Sequence, residues 1–102
     1  MHLVQILLPL YDNAGHLFPH REYVRVRDEL TERFGGITAY VSSPAEGIWK
    51  ETPTMTVRDD IVIYEVMTEH LDRQWWRSYR EELSLRFRQD LLIVRASEVQ
   101  LL

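Results

Sequence analysis

Four segments of the chain carry hydrophobic residues at alternate positions, which is the spacing of a β-strand. They cover residues 2–11, 37–41, 61–67 and 91–97. In the first of them both alternating sets are mostly apolar, whereas a strand with one wet face would alternate with polar residues. The pattern therefore predicts that residues 2–11 form a central strand covered on both sides.

Two further segments repeat their hydrophobic residues at helical spacing. The first begins at Pro19, which suits the first turn of a helix, and the pair Gly35-Gly36 ends it. The second begins at Asp72, which is a strong N-cap residue. The predicted buried stripes are Tyr23, Val26, Leu30 and Phe34 in the first helix and Trp76, Tyr79, Leu83 and Phe87 in the second.

The order strand, helix, strand, strand, helix, strand predicts an α+β fold in one domain, residues 1–102. The expected architecture is a ferredoxin-like βαββαβ sandwich, in which two helices cover one face of a four-stranded antiparallel sheet. A chain of 102 residues has room for one modest core, and 45% hydrophobic with 27% charged residues is typical of a globular domain.

The long stretch between the second and third strands is predicted to be a bent two-stranded ribbon with its tip near residues 52–53. Folding about that tip places Tyr40 opposite Glu65. It also places Trp49 within the ribbon. A large aromatic side chain there either anchors the ribbon to its own domain or closes over a bound partner.

Composition and charge disfavour several classes of protein. No apolar run is long enough to cross a bilayer, and the first residues lack the features of a signal peptide. The absence of cysteine excludes disulfides and thiolate metal sites. A formal net charge of -4 argues against nucleic-acid binding. We therefore expect a cytoplasmic protein with no membrane and no nucleic-acid partner.

The sheet face turned away from the predicted helices is the main indication of function. Four polar residues are expected on it, namely Gln5, Tyr40, Glu65 and Arg95. The apolar residues expected beside them are Leu3, Leu7, Ile63, Met67 and Ile93. Such a face is too apolar to remain in water, and its polar groups would need partners in a dry core.

Two copies of the chain meeting through this open sheet face would cover it. They could enclose a small-molecule site in which Gln5, Tyr40, Glu65 and Arg95 orient a ligand, with Trp49 as a lid. The alternative is that Glu65 and Arg95 form an ordinary ion pair across the sheet, or lie at solvated strand ends.

Other chemistries lack residues that they need. His16 and His20 are four residues apart, as two metal ligands on one helix face would be, but Gly15 and Pro19 place His16 in a loop and no third ligand is apparent. Neither a metal nor a cofactor is expected. Trp75 is assigned to a helix edge, and not to a base-stacking platform.

Residues 34–40, 47–50 and 61–67 resemble a group of small bacterial domains of unknown function, which carry a helix-ending glycine pair and a Gly-x-Trp ribbon. More broadly, the layout resembles the dimeric α+β barrel superfamily of cofactor-free monooxygenases, lactone isomerases, haem enzymes and ligand binders. This resemblance implies a homodimer with a pocket between sheet and helices. It identifies no catalytic residue, because no active-site motif of that superfamily matches this sequence.

Three functions remain open from the sequence. The leading hypothesis is a homodimeric domain that binds or senses a small molecule. The second is a cofactor-independent enzyme of the monooxygenase or isomerase type, in which a desolvated Glu65 is the general base and Tyr40 or Arg95 stabilises an enolate. The third is a structural or partner-binding module whose partner fills the open face and leaves no pocket.

Overall fold

The computed structural model describes residues 1–42 and 61–102, and Trp49 and the predicted ribbon tip lie outside them. Within these ranges the elements are β1 (His2–Pro9), α1 (His20–Phe34), β2 (Thr38–Ser42), β3 (Ile61–Thr68), α2 (Arg73–Arg86) and β4 (Ile93–Glu98). The predicted α+β class, with two helices and an antiparallel sheet, is confirmed over the described residues. The arrangement is consistent with a ferredoxin-like fold.

The strands lie in the order β2-β3-β1-β4, and all neighbours are antiparallel. Gln5 of β1 lies opposite Glu65 of β3 on one side and Arg95 of β4 on the other. The predicted pairing of Tyr40 with Glu65 is wrong, because Tyr40 lies opposite Ile63 and Thr38 lies opposite Glu65. A shift of two residues keeps every side chain on its expected face, so hydrophobic alternation cannot distinguish the two registers.

The helix-covered side of the sheet contains the hydrophobic core. Val4, Ile6 and Leu8 of β1 are at most 1% exposed. Both predicted helix stripes pack against them, with Phe34 partly exposed at the edge. The other buried residues of this core are Phe18, Val62, Tyr64, Val66 and Leu92. The space between the sheet and the middle of each helix is therefore filled by side chains.

Local signals in the sequence set the ends of the helices. The Asp72 side chain accepts a hydrogen bond from the backbone N–H of Trp75 at 3.1 Å, as an N-cap residue does. Gly35 ends α1 with φ of 82°, a left-handed conformation that glycine adopts without a steric penalty. Its N–H donates to the Thr31 carbonyl at 2.8 Å.

The last strand begins two residues later than the sequence predicts, at Ile93. Leu91 is 72% exposed, whereas Leu92 is buried in the core. Both leucines belong to the connection between α2 and β4. The buried Leu92 anchors this connection in the core before strand pairing starts at Ile93.

Two tyrosine hydroxyls tie α1 to the sheet. Tyr23 donates to the Pro9 carbonyl at 2.6 Å, and Tyr64 donates to the Tyr23 carbonyl at 2.9 Å. Burial raises the pKa of Tyr23 to about 12. Both hydroxyls are therefore neutral donors that fix the helix on the core.

A second polar connection joins the two helices. Arg86 of α2 forms a bidentate ion pair with Glu29 of α1, in which Nη1 donates to Oε1 and Nη2 donates to Oε2 at 2.7 Å. The Tyr79 hydroxyl also donates to Glu29, at 3.2 Å. The hydrogen bond from Arg86 holds the pKa of the Glu29 carboxyl below its ordinary value of 4.5. The residues and their placement indicate a structural network.

Candidate functional site

The face of the sheet opposite the helices leaves apolar side chains accessible. Met67 is 52% exposed and Ile93 is 48% exposed. Leu3, Leu7 and Ile63 on the same face are partly buried by their neighbours across the strands. This surface, which we call the open face, therefore has apolar positions on both sides of the row that contains Gln5.

The row at Gln5 is polar and internally hydrogen-bonded. Arg95 Nε donates to Gln5 Oε1 at 2.8 Å, and Gln5 Nε2 donates to Glu65 Oε2 at 2.5 Å. The three side chains run across β4, β1 and β3, so the row has a cationic end and an anionic end. We call Arg95, Gln5 and Glu65 the polar row.

The geometry of the polar row fixes the orientation of each group. An amide has one acceptor end and one donor end, and here the acceptor faces the guanidinium and the donor faces the carboxylate. Gln5 and Glu65 are partly buried, whereas Arg95 is exposed. The row thus offers guanidinium N–H donors and carboxylate acceptors about two strands apart, roughly 10 Å at the usual strand spacing.

Three of the five predicted ligand-binding residues come together in this row, namely Gln5, Glu65 and Arg95. Tyr40 lies two residues along β2 from the position opposite Glu65, in the neighbouring row that contains Leu7 and Ile63. Trp49 lies outside the described residues. The ordinary ion pair considered as the alternative is replaced by an indirect contact. The Gln5 amide lies between the Arg95 guanidinium and the Glu65 carboxylate and bonds to both.

The two histidines and Trp75, which the sequence also singles out, do not form a further site among the described residues. His16 and His20 are exposed, and His16 Nδ1 lies 3.7 Å from Asp12 Oδ2. Residues 1–42 and 61–102 contain no group of three potential ligands that could hold a metal ion. Trp75 is partly buried and stacks on Tyr79 with ring centroids 4.9 Å apart. Its place in the helix packing is the one expected from the sequence.

Sequence reasoning missed the groups that line the gap between α2 and β4. His2, Arg73 and Arg77 approach one another there, although His2 is far from the arginines in the chain. The spacing of Arg73 and Arg77 on one helix face was the available signal. His2 joins the two arginines only through the pairing of β1 with β4, which a single sequence does not reveal.

Within the described ranges, no helix is long and apolar enough to pass through a membrane. No protein-family model matches the chain, and no curated protein matches it. The resemblance to a group of small bacterial domains therefore stays a prediction.

The chain is similar in structure to a phage SAM lyase solved in complex with S-methyl-5'-thioadenosine. The TM-score is 0.55 at 15% sequence identity, and the match covers 95% of this chain and 80% of that chain. At this identity the similarity concerns the fold alone. It supports the broad ferredoxin-like class for this chain.

Proposed function

We propose that the open face is the contact surface of a homodimer and that the dimer binds a small molecule at the polar row. The observation that carries this proposal is the hydrogen-bonded chain from Arg95 through Gln5 to Glu65, set among exposed apolar side chains. A row of polar side chains is not needed for strand pairing, and here it lies among apolar side chains that the described residues leave accessible.

The charges of the polar row favour a second copy as the partner. A two-fold axis parallel to the strands and passing over β1 exchanges the two ends of the row. Arg95 would then face Glu65 of the partner subunit, and Glu65 would face the partner's Arg95. Like charges never meet in this arrangement, and the apolar residues on either side are covered at the same time.

The polar groups also support a ligand within that contact. A dry interface would bury the Arg95 guanidinium of both subunits, which is costly unless the remaining N–H donors find hydrogen-bond partners. A small molecule with an apolar body and hydrogen-bonding groups would provide them. The ligand named for the phage lyase, S-methyl-5'-thioadenosine, has this character and is a suitable first probe.

The test is isothermal titration calorimetry with S-methyl-5'-thioadenosine and adenosine, after a thermal-shift screen of a metabolite panel. We expect at least one saturable ligand, and we expect Gln5→Leu to weaken its binding at least tenfold. Gln74→Leu is the matched control, since Gln74 is exposed on α2, and it should bind normally. The proposal fails if no molecule in the panel binds, or if the two variants behave alike.

The enzyme hypothesis is a second candidate at the same residues. Gln5 holds one oxygen of Glu65, and this contact would orient the carboxylate as a general base requires. In that case the bound molecule is converted during the titration, and Glu65→Gln binds it without converting it. If the protein only binds, the molecule is recovered unchanged from both the unmodified protein and Glu65→Gln.

A further inference from the structure

A concavity opens between the first turns of α2 and the edge strand β4, on the helix-covered side of the sheet. Its volume is about 290 Å³, at the lower end of small-molecule sites. The apolar part of its wall comes from Val4, Leu71, Trp76 and Val94. The charged and polar part comes from His2, Arg73 and Arg77 and from Arg95, Ser97 and Glu98 of β4, and Ala96 also lines the wall.

Two arginines provide the main charge of this concavity. Arg73 and Arg77 are four residues apart on α2, so they lie on one side of the helix and both reach the opening. In the part of the chain that the structure describes, neither has an ion pair with an acidic side chain. Both guanidinium groups therefore keep N–H donors for a ligand.

The histidine in the wall has a polar atom that needs a partner. His2 Nδ1 is buried and makes no hydrogen bond, and it is the one such side-chain atom among the described residues. The other ring nitrogen, Nε2, lies 3.8 Å from Glu98 Oε1. Buried polar atoms in native proteins are nearly always satisfied, so this one indicates a group that joins the site from outside.

We propose that this concavity binds a small organic anion, with its phosphate or carboxylate group between Arg73 and Arg77. Both arginines can donate several N–H groups to the oxygens of such an anion. A rotation of the His2 imidazole would turn the buried Nδ1 towards the ligand and complete the contact. The apolar body of the ligand would lie against Val94 and Trp76. Arg95 lies at the edge of the concavity, but its side chain donates to Gln5 in the polar row on the other side of the sheet. The proposal does not depend on the proposed function.

The charge distribution favours a small anion over a polyanion. Glu98 stands at the rim of the same concavity with its side chain 89% exposed. Its carboxylate would repel the next phosphate group of a polyanion such as a nucleic-acid strand. Because Arg95 is held by Gln5 in the polar row, Arg73 and Arg77 are the two arginines left to meet a ligand, with Glu98 as the acidic side chain. This set matches a single anionic group better than it matches nucleic acid.

The test is a titration of the ¹⁵N-labelled protein with phenyl phosphate, and separately with benzoate, at constant ionic strength. Amide shifts should be saturable and should centre on Arg73, Arg77, His2 and residues 94–98. The double variant Arg73→Gln/Arg77→Gln should weaken binding at least tenfold. His2→Phe should weaken it about threefold while the amide spectrum stays that of a folded protein. The stronger of the two probes identifies phosphate or carboxylate as the preferred group.

The matched control is Arg25→Gln, because Arg25 is exposed on α1 and lies away from the concavity. It should bind both probes within twofold of the unmodified protein. Shifts that do not saturate, or that centre elsewhere, would overturn the proposal. An equal loss in Arg25→Gln would overturn it as well, because it would show attraction to general surface charge.

Discussion

The two faces of β1 are built from the same strand but meet different surroundings. Val4, Ile6 and Leu8 point to the helices and are at most 1% exposed, whereas Leu3, Gln5 and Leu7 point away from them and remain partly exposed. From Val4 to Leu8 the first face is buried and apolar. The second combines apolar side chains with a hydrogen-bonded polar row. The comparison indicates that one face holds the fold together and the other is available for a partner.

The same contrast appears between two polar clusters of the molecule. Arg86 has a side chain only 9% exposed and joins two helices through Glu29, with Tyr79 as a third member. Arg95 is exposed and reaches Glu65 only through an amide. A partly buried bidentate pair fixes packing, whereas a more exposed row keeps guanidinium donors that a second molecule can contact.

The largest expected effect comes from matched isoleucine substitutions on the two faces. Ile6 is fully buried, so Ile6→Ala should lower the free energy of unfolding by about 2–5 kcal/mol. Ile93 is 48% exposed, so Ile93→Ala should cost less than about 1 kcal/mol at high dilution. Urea unfolding measures both values. Equal costs at high dilution would contradict the division into a structural face and a binding face.

A smaller effect is expected from matched arginine substitutions. Arg86→Gln should cost about 1–3 kcal/mol near neutral pH, because it removes the bidentate partner of a partly buried carboxylate. Arg95→Gln should change the free energy of unfolding by less than about 0.5 kcal/mol. Similar losses in the two variants would mean that the polar row is as structural as the helix network.

The pH dependence of Arg86→Gln sharpens that result. The pKa of Glu29 is lowered in the folded protein, mainly by the hydrogen bond from Arg86. The pair therefore stabilises the fold above the ordinary pKa of 4.5, and this contribution is lost as the pH falls through the folded value. We expect the free energies of unfolding of the unmodified protein and Arg86→Gln to differ most near neutral pH. The two should converge as the pH falls below the lowered pKa of Glu29.

Local sequence signals were sufficient for most of the fold. Asp72 and Gly35 marked helix ends, and alternation assigned Leu3, Gln5 and Leu7 to the open face. The strand register of Tyr40 could not be obtained in this way, because its partner depends on the length and shape of the connection between β2 and β3.

The candidate sites were less accessible to sequence reasoning. Gln5, Glu65 and Arg95 were grouped because each falls on the same face, yet the amide link between them depends on the exact pairing of three strands. His2 and Arg73 are brought together by the fold and share no local pattern. Contacts between distant residues of this kind carry no periodicity that a single sequence displays.

The measurement that tests the central claim most directly is sedimentation velocity of the unmodified protein, Ile93→Asp and Leu85→Asp at micromolar concentration. Both substituted residues are exposed leucine or isoleucine side chains, but Ile93 lies on the open face and Leu85 on α2. We expect the unmodified protein and Leu85→Asp to sediment at twice the chain mass of 12.2 kDa, and Ile93→Asp at the chain mass itself. An unmodified protein that sediments at 12.2 kDa would contradict the claim that a second copy covers the open face.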